Sequence, residues 1–118
     1  MDTKDTIQTY FTKLEQKNGW ESLLGDNMTF TSFTSLIKQA QGKDAYLQAT
    51  KRFFSMIRSL QVRELIVAGD RACALTHYEL QPPNGGSAFF SDVAEIFSVR
   101  NGQIDSLDIY FDSAPFQK

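Results

Sequence analysis

The side chains that could carry acid–base chemistry begin with Glu95, which lies in an alternating apolar segment at residues 87–100. Successive side chains of a strand point to opposite faces, so Glu95 shares a face with Val93 and Phe97. This face is the more apolar of the two, and we expect it to be buried. An unpaired carboxylate on a buried face costs several kcal/mol or takes up a proton. The alternative is an edge position, where Glu95 reaches solvent or pairs with an arginine.

The one histidine, His77, lies in a segment whose two faces both contain core-like residues. One face carries Cys73, Leu75, His77 and Glu79, and the other carries Ala72, Ala74, Thr76, Tyr78 and Leu80. If the first face points inward, His77 can act as a general base near neutral pH. If it points outward, His77 is a surface or interface histidine. We interpret Cys73 as a small buried hydrophobe, and one His with one Cys gives no zinc-ligand spacing, so no metal is expected.

The last strand-like segment, residues 103–112, contains two carboxylates, Asp108 and Asp112, which resemble a catalytic pair when only their spacing along the sequence is considered. Because odd-numbered and even-numbered side chains of a strand point to opposite faces (their parity), the apolar side chains share one face: Leu107, Ile109 and Phe111. Asp108 and Asp112 fall on the opposite face, so we expect them to face solvent or a dimer partner. Tyr110 shares that face and is interpreted as an interface aromatic, because interfaces favour tyrosine.

The elements that must position these side chains follow from apolar spacing. Steps of three, four and seven residues predict a helix over residues 3–17, with the stripe Ile7, Tyr10, Phe11 and Leu14. Asn18-Gly19 ends it, and a short helix around Trp20 follows. Residues 28–33 alternate like a strand, residues 34–42 are expected to be a loop, and residues 43–59 form the main helix.

In the second half of the chain, apolar and polar residues alternate in segments separated by turns, which predicts an antiparallel meander. Its predicted strands cover residues 61–68, 71–81, 87–100 and 103–112. Asn101-Gly102 between the last two is a strong hairpin signal, since a type I′ turn needs positive φ at both central positions. Helices first and strands afterwards indicate an α+β domain, with the helices packed on one face of a curved antiparallel sheet.

Composition and charge exclude several classes of function. The chain has 118 residues, a net charge of −2, 12 Lys plus Arg against 14 Asp plus Glu, and one Cys. This length predicts one domain over residues 1–118. No basic cluster suits nucleic acid, and no apolar run is long enough to span a membrane. The polar N-terminus and the lone cysteine predict a cytoplasmic protein.

The element order, together with Asn101-Gly102-Gln103-Ile104 and the closing Tyr110-Phe111-Asp112, resembles the SnoaL-like branch of the nuclear transport factor 2 superfamily. The resemblance covers nearly the whole chain. It implies a cone-shaped α+β barrel with an apolar pocket at its mouth, and a homodimer formed through the outer face of the sheet. Relatives include ketosteroid isomerase, polyketide cyclases and an epoxide hydrolase, so the fold alone does not supply the function. No cofactor is expected.

Comparison with ketosteroid isomerase assigns roles to two residues. Tyr10 is similar to the tyrosine that stabilises an enolate oxygen, and Glu95 is similar to the protonated acid that donates a second hydrogen bond to it. Together they would form an oxyanion-type site aimed at a carbonyl. The isomerase's general base is missing, because no Asp or Glu lies between Asp26 and Asp44 and the nearest equivalent position is near Phe33. Steroid isomerisation is therefore not expected.

Aromatic side chains should form the wall of such a pocket, and ten phenylalanines are present. The candidates for ligand binding are Phe11, Trp20, Phe30, Phe33, Phe54 and Phe97. A flat apolar ligand would suit this wall, although the same side chains could simply fill a small barrel. Leu36 and Ile37, beside Lys38, could belong to a lid or a dimer contact. We therefore expect a pocket for a small hydrophobic molecule, with isomerase-type, cyclase-type or hydrolase-type chemistry or with binding or dimerisation alone.

Overall fold

The computed structural model describes residues 2–34 and 37–116. Its two α-helices are α1 (Thr3–Gln16) and α2 (Lys43–Met56), with short 3₁₀ helices at Trp20–Leu23 and Ala114–Phe116. The strands are β1 (Leu24–Phe33), β2 (Lys38–Gln41), β3 (Ile57–Ala68), β4 (Arg71–Leu80), β5 (Phe89–Arg100) and β6 (Gln103–Phe111). In the described part of the chain, no helix is long and apolar enough to cross a membrane.

The helix ends follow their local chemistry. The Asp2 carboxylate caps α1 by accepting a hydrogen bond from the Asp5 amide at 2.8 Å. Lys17 ends the helix in the left-handed region, with φ of 56°. The second helix stops at Met56, three residues earlier than predicted, because Ile57 is already extended. Its apolar periodicity continues to Leu60, which packs against the core from β3.

The α+β prediction is confirmed, and the sheet adds a feature that sequence reasoning missed. The order is β2-β1-β6-β5-β4-β3, and the β3-to-β6 meander is antiparallel as predicted. The first strand, however, runs parallel to β6. The sheet is therefore mixed. As described, it is also not closed into a barrel, because β2 and β3 remain its edges. A parallel pair needs a long crossover, which α2 and the meander together supply.

The expected loop at residues 34–42 contains the short edge strand β2, which pairs with β1. Within it, Ala40 lies opposite Phe30 and Lys38 lies opposite Ser32. Ile37 is 63% exposed, and Leu36 lies outside the described residues. The predicted loop is therefore wrong over Lys38–Gln41, where backbone pairing with β1 outweighs the weak strand pattern.

Both helices pack on one face of the sheet, which we call the inner face. The parity prediction for β5 is confirmed, since Val93, Glu95, Phe97 and Val99 are buried. On β4 the buried set is Ala72, Ala74, Thr76, Tyr78 and Leu80, which leaves His77 on the opposite, outer face. Tyr10 and Tyr46, from the two helices, are almost fully buried against this core.

Candidate functional site

A cavity of about 220 Å³ lies between α2 and the inner face of the sheet. The helix side is formed by residues at helical spacing: Tyr46, Ala49, Thr50, Phe53 and Phe54. The sheet side is mostly apolar and comprises Phe30, Ser32, Ala40, Val93, Glu95, Leu107, Ile109 and Phe111. Lys38 and Gln39 complete the lining. Glu95 is the only carboxylate among these described lining residues, and none is a histidine.

Glu95 is held by two hydroxyl groups from the neighbouring strand. Thr76 Oγ1 donates to Glu95 Oε2 at 2.8 Å, and the Tyr78 hydroxyl donates to Glu95 Oε1 at 2.9 Å. Both donors lie on β4, whose Ala74 is directly opposite Glu95. The side chain is only 5% exposed, so the alternative of a solvent-facing edge position is wrong.

The electrostatics of Glu95 are set by burial. Desolvation raises the pKa of its carboxyl from 4.5 to about 7, although the hydrogen bonds from Thr76 and Tyr78 favour the ionised form and lower it. None of the ion pairs within residues 2–34 and 37–116 includes Glu95. Near neutral pH the site therefore holds a carboxyl group that is protonated in a substantial fraction of the molecules.

The hydroxyl groups of Tyr10 and Tyr46 lie close enough to this carboxyl for its charge, in addition to burial, to raise the pKa of both. Their oxygens are 3.4 Å apart, a long hydrogen bond in which either group can be the donor. Burial is the main cause that raises the pKa of both groups, so both remain neutral. Tyr46 lines the cavity, whereas Tyr10 lies behind it and packs edge-on against Phe97, with ring centroids 5.7 Å apart. The hydroxyl that a ligand would meet beside Glu95 is that of Tyr46.

The six predicted ligand-binding aromatics divide into three groups. Phe30 and Phe54 line the cavity. Phe11, Trp20 and Phe97 are not among the lining residues: Phe11 and Phe97 pack together in the core, and Trp20 supports Phe54 from behind, with ring centroids 4.5 Å apart.

Phe33 requires a correction, because it lies on the outer face of the sheet. There it stacks on Tyr110, with centroids 4.7 Å apart and an interplanar angle of 8°. The buried side chains of β1 in this stretch are the even-numbered ones, Met28, Phe30 and Ser32. Parity therefore points Phe33 away from the cavity. Two aromatic lining residues of α2, Tyr46 and Phe53, are not among the six predicted. The helical spacing of this segment could have identified them.

His77 also lies on the outer face, so the sheet separates it from the cavity. Its Nδ1 is 2.7 Å from Asp92 Oδ1, and its ring stacks on Phe90 at a centroid distance of 4.9 Å. The hydrogen bond with His77 is the main cause that lowers the pKa of Asp92, and Arg63 adds to it. The inward-facing alternative for His77 is therefore wrong, and this histidine does not serve the cavity as a base.

The outer face presents several large apolar side chains to solvent: Ile66, Leu75, Phe90 and Tyr110, between 39% and 55% exposed. Cys73 lies on this face and is partly exposed, so our interpretation of it as a buried hydrophobe is wrong. Asp108 pairs with Ile96 on the same face, as parity predicted. The Asp112 carboxylate accepts a hydrogen bond from the Ala114 amide and thereby starts the last 3₁₀ helix. Among the described residues, no three His, Cys, Asp or Glu side chains cluster closely enough to hold a metal ion.

A family model for the SnoaL-like domain matches residues 7–107. The chain belongs to the SnoaL-like domain family. No functionally curated protein matches the sequence.

Solved structures share the fold at low identity. An NTF2-like protein of unknown function from Burkholderia pseudomallei is 16% identical with a TM-score of 0.81, and 98% of this chain and 95% of that chain are covered. An NTF2-like protein of unknown function from Cytophaga hutchinsonii is 19% identical with a TM-score of 0.77 and the same coverage of 98% and 95%. A protein with a ketosteroid isomerase-like fold from Catenulispora acidiphila, solved with trimethylamine, is 15% identical with a TM-score of 0.74, covering 93% and 87%.

Proposed function

We propose that the cavity binds a small hydrophobic molecule and that Glu95 is the polar group that meets it. The observation that supports this proposal is the position of one buried carboxyl, with a pKa of about 7, in a wall that is mostly aromatic and aliphatic. Apolar pockets with a few placed polar groups are the usual form of small-molecule sites. A cavity of about 220 Å³ suits one ring with a short side chain, since an engineered cavity of ~150 Å³ in another protein binds benzene.

In its finer form, the proposal is that Glu95 polarises a carbonyl group of the ligand. The protonated carboxyl would donate a hydrogen bond to the carbonyl oxygen, and the Tyr46 hydroxyl would be the second donor. A group with a pKa near the working pH is also suited to general acid–base catalysis. This is isomerase-type or cyclase-type chemistry without a metal.

The competing proposal is a binding module without turnover. It is favoured by the absence of a second carboxylate and of any histidine among the described lining residues. Enolisation needs a base as well as a donor to the oxygen, and Glu95 alone would have to serve both ends of the reaction. The two proposals share the same ligand site and differ only in proton transfer.

The experiment compares acetophenone with ethylbenzene, which has nearly the same shape but no carbonyl, at pH 5.5 and pH 8.5 by NMR titration. We expect acetophenone to bind roughly tenfold more tightly at the lower pH, because only the protonated carboxyl donates to it. Ethylbenzene should bind with little pH dependence. In Glu95→Gln the pH dependence for acetophenone should disappear, since the amide donates at both values. Failure of both probes to bind would refute the cavity as a ligand site.

Proton transfer is tested in the same samples. In D₂O, a working acid–base site would accelerate exchange of the methyl protons of acetophenone, and Glu95→Gln would abolish the acceleration. Binding without accelerated exchange would refute the catalytic form and support the binding module.

A second part of the proposal concerns assembly: two copies of the chain pair through the outer face of the sheet. The support is the exposed apolar set on that face, in particular Phe90 at 55% and Tyr110 at 47% exposure. Exposed apolar patches of this kind are typical of protein–protein contacts. Because the cavity lies on the opposite, inner face of the sheet, pairing through the outer face would not cover its lining residues.

A further inference from the structure

A surface groove adjoins the cavity at the C-terminal half of α2. Lys38, Ala49, Phe53 and Phe111 line both the cavity and the groove, so the two spaces meet at these side chains. The far side of the groove is formed by the segment that follows β6. There Phe116 packs against Phe111, Phe89 and Phe53, at centroid distances of 5.5, 5.3 and 6.4 Å. The groove therefore adjoins the cavity, and we call it the mouth.

Two cations stand at this mouth. Lys38 lies opposite Ser32 in the β1–β2 pair, which places it on the inner face at the rim of the cavity. Arg52 immediately precedes Phe53 in α2 and lines the groove. Both are exposed, and neither belongs to any ion pair among the described residues.

No carboxylate lines the groove within the part of the chain that the structure describes. The one carboxyl of the connected space is that of Glu95, which is buried in the wall of the cavity. The charge along the path from solvent is thus positive at the mouth, absent along the aromatic wall and acidic in the interior.

We infer that the ligand is an amphipathic carboxylic acid, with its apolar body in the cavity and its carboxylate held by Lys38 and Arg52 at the mouth. The inference rests on the proposed function, since it names the chemical class of the molecule that the cavity takes. The reverse orientation would bury the ligand carboxylate in a mostly apolar wall, where its desolvation is costly and where the ionised fraction of Glu95 repels it. A body of one ring and a short chain matches the volume of about 220 Å³.

The rival ligand is an organic cation, which aromatic walls can also bind. The structure of the relative from Catenulispora acidiphila was solved in complex with trimethylamine. In the present chain a cation would gain from the rings and from ionised Glu95, but it would have to pass and remain near Lys38 and Arg52. The positive mouth favours the anion.

The test uses three probes that share a phenylbutyl body: phenylbutyrate, phenylbutanol and phenylbutylamine. Their affinities are measured by calorimetry at neutral pH and low salt. We expect phenylbutyrate to bind about fivefold to tenfold more tightly than phenylbutanol, the scale of two partly exposed ion pairs. Phenylbutylamine should bind most weakly, and the advantage of the carboxylate should shrink as salt is added.

The decisive variant is the double substitution Lys38→Met and Arg52→Met, which keeps the apolar stems and removes both charges. It should abolish the preference for phenylbutyrate over phenylbutanol, both probes being measured on the same variant. The matched control is Lys4→Met with Lys51→Met, which removes the same charge from exposed positions that line neither the cavity nor the groove. The control should keep most of the preference for the carboxylate.

The outcomes distinguish a failure of the inferred ligand class from a failure of the proposed function. If phenylbutanol binds but phenylbutyrate does not bind more tightly, the anionic ligand is refuted while the cavity as a ligand site stands. If phenylbutylamine binds best, the ligand class is a cation and the inference is wrong. If none of the three binds, the proposed function itself fails.

Discussion

Replacing Glu95 by glutamine should change how the stability of the protein depends on pH. The carboxyl has a pKa of about 7 in the folded protein against an ordinary value of 4.5. Between these values the unfolded chain releases the proton while the folded protein keeps it, so the free energy of unfolding falls as pH rises. Well below pH 4.5 and well above pH 7, both states hold the same charge and the contribution is constant.

The magnitude follows from the two pKa values. The difference corresponds to about 3 kcal/mol of stability lost between low pH and pH above 7. Glutamine has nearly the same shape and does not titrate, so Glu95→Gln should lack this loss. The stability of the wild type minus that of the variant should therefore fall by about 3 kcal/mol across the interval and stay flat outside it.

The assay is urea denaturation of both proteins at half-unit steps from pH 4 to pH 8.5. The control is Glu15→Gln, which removes an exposed carboxylate from α1 and should leave the pH profile parallel to that of the wild type. A difference between wild type and Glu95→Gln that does not change with pH would refute the argument, because it would mean that burial does not displace the titration of Glu95.

Two further predictions concern the neighbours of this carboxyl and the outer face. Tyr78→Phe removes the hydroxyl that donates to Glu95 Oε1 at 2.9 Å, so the pKa of Glu95 should rise further, by about one unit, in a carbon-detected NMR titration; an unchanged midpoint would contradict this role for the hydrogen bond. Double replacement of Ile96 and Tyr110 by alanine should convert a sedimenting dimer to a monomer and leave probe binding in the cavity intact, whereas a wild type that already sediments as a monomer would refute assembly through this face.

The hairpin that carries Glu95 could be predicted from its turn. Asn101 and Gly102 both adopt positive φ, at 53° and 74°, as a type I′ turn requires. The turn pairs Arg100 with Gln103 at the end of the hairpin. Apolar alternation assigned Glu95 to the more apolar face of β5, which is buried, but it left open an edge position that reaches solvent.

The orientation of β4 could not be predicted in the same way, because apolar residues occur on both of its faces. The pairing of Ala74 with Glu95 decides it, since directly opposite residues share a face. That pairing depends on the register between two strands joined by a loop at residues 81–88, which is too long to fix the register as a two-residue turn does. The sequence alone therefore allows two positions for His77, one in the cavity as a base and one on the outer face of the sheet.

Long-range contacts account for the remaining differences. The parallel pairing of β1 with β6 joins segments about 75 residues apart, and no local pattern encodes it. The resemblance to ketosteroid isomerase predicts that Tyr10 belongs to the site. The packing of α2, however, places Tyr46 between Tyr10 and the cavity. Residues on different elements that reach one cavity are set by tertiary packing, which spacing along the chain does not report.

The energetics of Glu95 argue that packing alone does not explain this carboxyl. Two hydroxyls donate to it, yet desolvation still outweighs them and raises its pKa to about 7. A leucine there would avoid that penalty but would leave the buried hydroxyls of Thr76 and Tyr78 without their acceptor, at ~1–3 kcal/mol for each unsatisfied group. Glu95→Leu therefore mixes two opposite effects. Glu95→Gln removes the titration and keeps one acceptor oxygen, while the hydroxyl that faces the amide NH2 must turn from donor to acceptor. The three side chains form a unit whose cost in stability rises with pH, as expected of a group that takes up and releases a proton in a ligand cavity.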